Sequence, residues 1–141
     1  MQEFIQSLLS NTTLKVLIIV IVLDTIFGIL RAIKEKSLNS TIGIDGIIRK
    51  VGMLIAVTFL LAIDTIVHLN LIGFIPEDLR NFLNVKELGI SEVFNILFIV
   101  FETLSIMKNM ILCKLPIPKK FQQFLEKVMN NFTNEINKKG E

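Results

Sequence analysis

Three stretches of this chain are apolar for about 20 residues at a time: Leu14 to Ile33, Val51 to Ile72 and, beginning near Ser91, a third to Leu112. A helix rises 1.5 Å per residue and the hydrocarbon core of a bilayer is roughly 30 Å thick, so each stretch is long enough to cross it. One such helix alone is compatible with a soluble core. Three of them in 141 residues are not, because helices apolar on every side leave too little polar surface to enclose them. The expected fold class is an all-α integral membrane protein with three transmembrane helices. Two domains are expected, a membrane domain over 1–115 and a polar tail over 116–141.

Composition narrows the alternatives. A hydrophobic fraction of 52%, a formal net charge of +2 and a single Cys argue against a disordered chain, a nucleic-acid binder and a disulfide scaffold. The segment before Leu14 carries Glu3 and no basic cluster, and the apolar block behind it lacks a small-residue cleavage site, so a cleaved leader is not expected. Lys and Arg segregate. Arg31, Lys34, Lys36, Arg49 and Lys50 fall in the first connection, and Lys108, Lys114, Lys119, Lys120, Lys127, Lys138 and Lys139 at the C-terminal end. With three spans these regions share one side, which the positive-inside rule makes cytoplasmic and which puts the N-terminus outside.

The connections carry their own signals. Ser37 to Gly46, with Gly43 and Gly46, reads as a turn before a short lead-in, Ile47 to Lys50. Pro76 followed by Glu77 and Asp78 reads as a helix start, and Leu79, Phe82 and Leu83 give that helix one apolar face, expected to lie on the membrane surface until Gly89. Pro116-Ile117-Pro118 is expected to terminate the third span. Beyond it Phe121, Phe124, Leu125, Val128, Phe132 and Ile136 share a helix face, so the cytoplasmic tail is expected to be amphipathic, resting on anionic lipid or on neighbouring copies.

Each span contains a carboxylate: Asp24, Asp64 and Glu102. Insertion scales place an Asp at a helix centre at about +2.5 to +3.5 kcal/mol, so each requires a partner, a proton or water. Their polar neighbours are aligned. Asp24, Gly28, Arg31 and Glu35 form one stripe; Asp64, Thr65 and His68 a shorter patch; Glu92, Asn95, Glu102, Ser105 and Asn109 a third. Two architectures accommodate three stripes, a tight bundle with a polar seam or an oligomer whose stripes line an aqueous lumen. Within a bundle, Arg31 and His68 are candidate partners for Asp24, and His68 also for Asp64 one turn earlier. Lys108 lies near a span end and can snorkel, and Cys113 reads as a small apolar filler. His68 has neither a second His nor a Cys beside it, so no metal or other cofactor is expected. Gly43-Ile44-Asp45-Gly46 lacks the Lys and Ser/Thr of a phosphate loop, and an enzyme is not expected.

Asp24, Gly28, Ala32-Ile33-Lys34, Ser40, Gly43, Gly46 and Arg49-Lys50, together with Glu102, Ser105-Ile106, Asn109 and Pro116-Ile117-Pro118, resemble the toxin-secretion and phage-lysis holins over nearly the whole chain. Gly43 to Gly46, Leu88 to Glu92 and Ser105 to Met110 look most like the holin-like proteins encoded beside large clostridial glucosylating toxins. Lys108 and Lys114 depart from the phage members, many of which carry Glu and Gly there. The resemblance implies a homo-oligomer of the bacterial cytoplasmic membrane that opens a lesion, with an exported toxin or an endolysin as cargo and lipid and its own copies as partners. Candidate lumen or interface residues are Asp24, Gly28, Arg31, Asp64, His68, Asn95, Glu102, Ser105 and Asn109; Gly43, Gly46, Arg49 and Lys50 form the family loop. A narrow ion or proton channel and a non-conducting secretion adaptor are the alternative functions.

Overall fold

The computed structural model describes residues 1–37, 40–78, 80, 88–116, 118–120, 122–124 and 127–128, and every regular element among them is helical. The order is α1, Gln2–Ser10; α2, Thr12–Lys34; α3, Ser40–Val67; a 3-10 turn, Leu71–Phe74; and α4, Ile90–Leu112. The three long helices meet the length and hydropathy of membrane spans, and at most 17% of each apolar window is buried. The side chains left outside are apolar, among them Ile18, Ile19, Val22 and Ile26 on α2, Ile48, Ile55 and Phe59 on α3, and Val93, Ile96, Leu97 and Val100 on α4. An exposed surface of this kind suits lipid, so the chain is a multi-pass membrane protein.

α2 and α4 run parallel and pack along their length, with Asn11 and Thr13 beside Glu92 and Asn95 at one end and Arg31 and Lys34 beside Asn109 and Leu112 at the other. α3 runs antiparallel to both and touches α4 more than α2. The inward positions keep a heptad. They are Leu14, Leu17, Ile21, Asp24, Gly28 and Arg31 on α2; Ser91, Asn95, Phe98, Glu102, Ser105 and Asn109 on α4; and Lys50, Leu54, Val57, Leu61 and Asp64 on α3. Spacings of three and four residues keep one seam facing its neighbours and favour a left-handed bundle. The seam is divided by polarity. Leu14, Leu17, Ile21 and Val57, flanked by Leu8, Leu54, Phe98 and Ile99, form an apolar core in one half, while buried Asp24, Glu102 and Asn109 occupy the other.

Helix ends follow local chemistry. Asn11 Oδ1 accepts from Leu14 N–H at 2.8 Å and caps α2. α2 and α4 each close with a left-handed lysine, Lys36 at φ 51° and Lys114 at φ 57°. Paired backbone bonds, Lys36 N–H to Ile33 O with Ser37 N–H to Ala32 O, and Lys114 N–H to Ile111 O with Leu115 N–H to Met110 O, make both closures Schellman turns.

Four expectations change. The second span begins much earlier than Val51, since α3 starts at Ser40 and takes Gly43, Gly46, Arg49 and Lys50 into its first turns. Ile44, Ile47 and Ile48 clothe that segment in apolar surface, so it continues the helix where two glycines suggested a turn. α3 also ends sooner, because His68 at φ 53° leaves the helix before Ile72. The third helix ends at Leu112 and the chain turns at the left-handed Lys114, before Pro116; that proline and Pro118 lie beyond the stop, where a proline blocks resumption. Finally, α1 was not foreseen, although Phe4, Ile5, Leu8 and Leu9 repeat at helical spacing ahead of the Asn11 cap. Pro76 does open a helical turn, with Arg80 N–H on Pro76 O at 3.0 Å, but Leu79, Phe82 and Leu83 lie outside the described residues. So do Phe121, Leu125, Phe132 and Ile136 of the tail expected to be amphipathic.

Candidate functional site: an ionic seam at mid-depth

The seam joins one cation to two carboxylates. Lys50 Nζ lies 2.6 Å from Asp24 Oδ2 and 2.5 Å from Glu102 Oε2, and the three side chains are 14%, 10% and 7% exposed. Each of the three residues sits ten positions from one end of its helix, at Lys34, Ser40 and Leu112, and these ends lie on the same side of the bundle. Ten residues are about 15 Å of rise, which is mid-depth in a bilayer. Asn109 extends the group by donating to Asp24 Oδ1 at 3.1 Å and accepting from Arg31 at 3.2 Å; Arg31 also meets Glu35 at 3.2 Å. Gly28 faces this ladder, since a Cβ there would lie 3.8 Å from Asn109 Nδ2.

A second polar cluster closes the opposite end. The Asp64 carboxylate accepts from Ile90 N–H at 3.1 Å and Ser91 N–H at 2.7 Å, an anion on the positive end of the α4 dipole. Glu92 accepts from Gly89 N–H and Asn11 Nδ2, each at 2.8 Å, and Asn95 donates to Thr13 Oγ1 at 3.2 Å. A cavity of about 560 Å³ opens beside them, lined by Asp64, Thr65, His68, Asn70, Glu92 and Glu3 among others. The far end of the bundle is basic, with Arg31, Lys34, Lys36, Lys108 and Lys114. Threonines facing away from the seam need no water, because Thr25, Thr58 and Thr103 each donate to the carbonyl four residues back at 2.7 to 2.8 Å.

The structure thus brings Asp24, Arg31, Glu102 and Asn109 together as the stripes suggested, with Gly28 and Ser105 on the same seam, and separates Asp64, His68 and Asn95 into the other half. Asp24 pairs with Lys50 and Asn109, where Arg31 or His68 was anticipated. Asp64 is taken up by backbone N–H groups, and the left-handed turn at His68 removes that ring from the position one turn along. Gly43 and Gly46 have nothing within 4 Å of a Cβ, and Arg49 is exposed. Lys50 is the residue whose place sequence reasoning missed. The clue was the spacing Lys50, Leu54, Val57, Leu61, Asp64, which continues the seam periodicity through the supposed loop. Among the described residues no group of three or more His, Cys, Asp or Glu is placed to hold a metal ion.

An apolar three-span bundle with an internally paired ionic seam defines a small multi-pass membrane protein whose buried charges face one another. Residues 4–130 match the model of the bacteriophage holin family, and the chain belongs to that family. It is 43% identical to the holin-like protein TcdE of Clostridioides difficile over 141 residues, covering 100% of this chain and 85% of the relative. No solved structure matches it.

Proposed function

We propose that this chain is a holin-like protein of the bacterial cytoplasmic membrane, non-enzymatic, which assembles into homo-oligomers and opens a passage for a large protein such as a toxin or an endolysin. The basic end is cytoplasmic and the acidic end, with the N-terminus, is outside, in accord with the positive-inside rule. One observation carries the reading: Asp24, Lys50, Glu102 and Asn109 meet in a buried seam between the three spans, while the outward faces are mainly apolar, with the exposed Arg49 beside Lys50 as an exception. A water-filled lumen requires a polar wall, so the chain supplies one by opening its seam. Closed, the bundle is compatible with lipid; open, it offers charges that only water or another copy can satisfy.

The test is release from liposomes loaded with tracers of graded size, up to a folded protein. The neutral variant Asp24→Asn/Lys50→Met/Glu102→Gln should insert normally yet lose release of the largest tracers. Wild-type release by that variant overturns the role of the seam. Passage of ions alone by the native chain supports a narrow channel, and tight vesicles combined with loss of function on deleting 119–141 support an adaptor.

A further inference from the structure

The charges of the seam are divided between separable parts. α2 and α4 carry Asp24 and Glu102 and are joined to each other by the Asn11–Glu92, Thr13–Asn95, Arg31–Asn109 and Lys34–Leu112 bonds. α3 carries Lys50 and lies closer to α4 than to α2; Val57 and Leu54 join it to Leu14, Leu17 and Ile21 of α2, an apolar contact that a second copy offers equally, and α1 packs beside it. Among the described residues the polar attachments of α3 include Lys50 at mid-depth, Asp64 on the α4 N-terminus, and the nearby Asn70 Oδ1, which accepts from Leu88 N–H at 3.1 Å. If α3 left the pair with nothing in exchange, three charges would stand unpaired in hydrocarbon.

We infer that the seam opens by exchange: α3 of one copy places its Lys50 between Asp24 and Glu102 of a second copy, and its Asp64 on that copy's α4. This rests on the holin-like reading and names the partner surface that reading leaves open. Both surfaces already exist, because the intermolecular contacts reproduce the intramolecular ones, one cation between two carboxylates and one anion on a helix N-terminus. The chain has the reach. Five residues join α2 to α3; once the turn at Lys36 and Ser37 is released, they span roughly 17 Å at about 3.3 to 3.6 Å each, more than the 8 to 10 Å between packed helices. Twenty-two residues, 68 to 89, separate α3 from α4. Such a junction is heterologous, each copy giving α3 to the next, so it closes into rings or extends without a fixed subunit number. Every charge keeps a partner, and the seam, now between two copies, borders the water-filled opening that the connections enclose.

Two experiments test the exchange. Lys50→Glu puts three anions in one seam, and Asp24→Lys puts two cations beside one anion, so each variant alone should lose large-tracer release. Mixed in one membrane, α3 of each finds one cation between two carboxylates only in the other, and release should return. A mixture as silent as its components overturns the exchange. The second arm removes one carboxylate, Asp64, and leaves the Lys50 seam intact. A Cβ at Gly89 lies 2.8 Å from Asp64 Cγ, within disulfide reach once both side chains are thiols. Asp64→Cys/Gly89→Cys in a Cys113→Ser background should therefore form an intramolecular bond in tight vesicles and, oxidised during release, a ladder of covalent multimers with loss of the monomer band. Release with the bond remaining within monomers overturns the exchange while leaving the holin-like reading intact. A ladder supports the exchange whether or not this variant, which lacks the Asp64 carboxylate, releases tracer; failure of the native chain to release the large tracers overturns the holin-like reading instead.

Discussion

Replacing Lys50 by Met isolates the ionic seam, because Met keeps much of the stem and removes the cation. Lys50 is bonded at 2.6 and 2.5 Å to two carboxylates that are nearly buried. Its removal leaves Asp24 and Glu102 facing each other at mid-depth, with Asn109 the remaining donor to Asp24. Breaking a buried pair by deleting one partner costs about 3–5 kcal/mol, and the insertion penalty of an unpaired Asp, about 2.5–3.5 kcal/mol, is of the same size. Lys50→Met should therefore lower stability by about 3–5 kcal/mol, several-fold more than the ~0–1 kcal/mol of an exposed pair. The neutral triple variant Asp24→Asn/Lys50→Met/Glu102→Gln should recover most of that loss, since no uncompensated charge remains. Reversible unfolding in bicelles, followed by helical circular dichroism, measures both. A Lys50→Met loss below about 1 kcal/mol, or a triple variant as unstable as the single one, refutes the reasoning.

Other sites give independent expectations. Lys36→Gly and Lys114→Gly remove side chains from left-handed positions at φ 51° and 57° and should each raise unfolding stability by about 1 kcal/mol. Gly89→Ala places a Cβ 2.6 Å from Glu92 Oε2 and 2.8 Å from Asp64 Cγ; displacing those caps should cost about 1–2 kcal/mol and speed hydrogen exchange at Ile90 and Ser91. Gly52→Ala, with nothing within 4 Å of its Cβ, should be neutral or stabilise by up to about 1 kcal/mol in the same unfolding assay. Asn95 Oδ1 is buried without a partner, so Asn95→Leu should change stability by no more than about 1 kcal/mol, the scale of hydrogen bonds within membranes.

The three spans were legible because length and hydropathy are properties of the local chain, and the first and third helices begin and end within two residues of the apolar blocks. The alignment of Asp24 with Gly28 and Arg31, and of Glu102 with Ser105 and Asn109, was legible for the same reason: helical periodicity fixes which residues share a face. Lys50 was not. A lysine beside two glycines at the edge of an apolar block reads as the membrane boundary, and only the carboxylates of two other helices make it tolerable ten residues inside α3. His68 shows the opposite limit. Four residues from Asp64 it should share a face, but one left-handed φ angle ends the helix there. The α1 helix escaped notice because nine residues are too short to form a stable isolated helix; packing on α3 supports it.

The central claim is that the polar seam is closed in the resting bundle and meets water during release. A thiol at Gly28 measures this directly, since that position faces Asn109 with room for a Cβ at 3.8 Å. In a Gly28→Cys/Cys113→Ser protein reconstituted in liposomes, a charged, membrane-impermeant thiol reagent should leave the site unlabelled while vesicles are tight and label it as the large tracer escapes. Tracer escape with the thiol still protected, or labelling of equal rate in tight vesicles, contradicts the account.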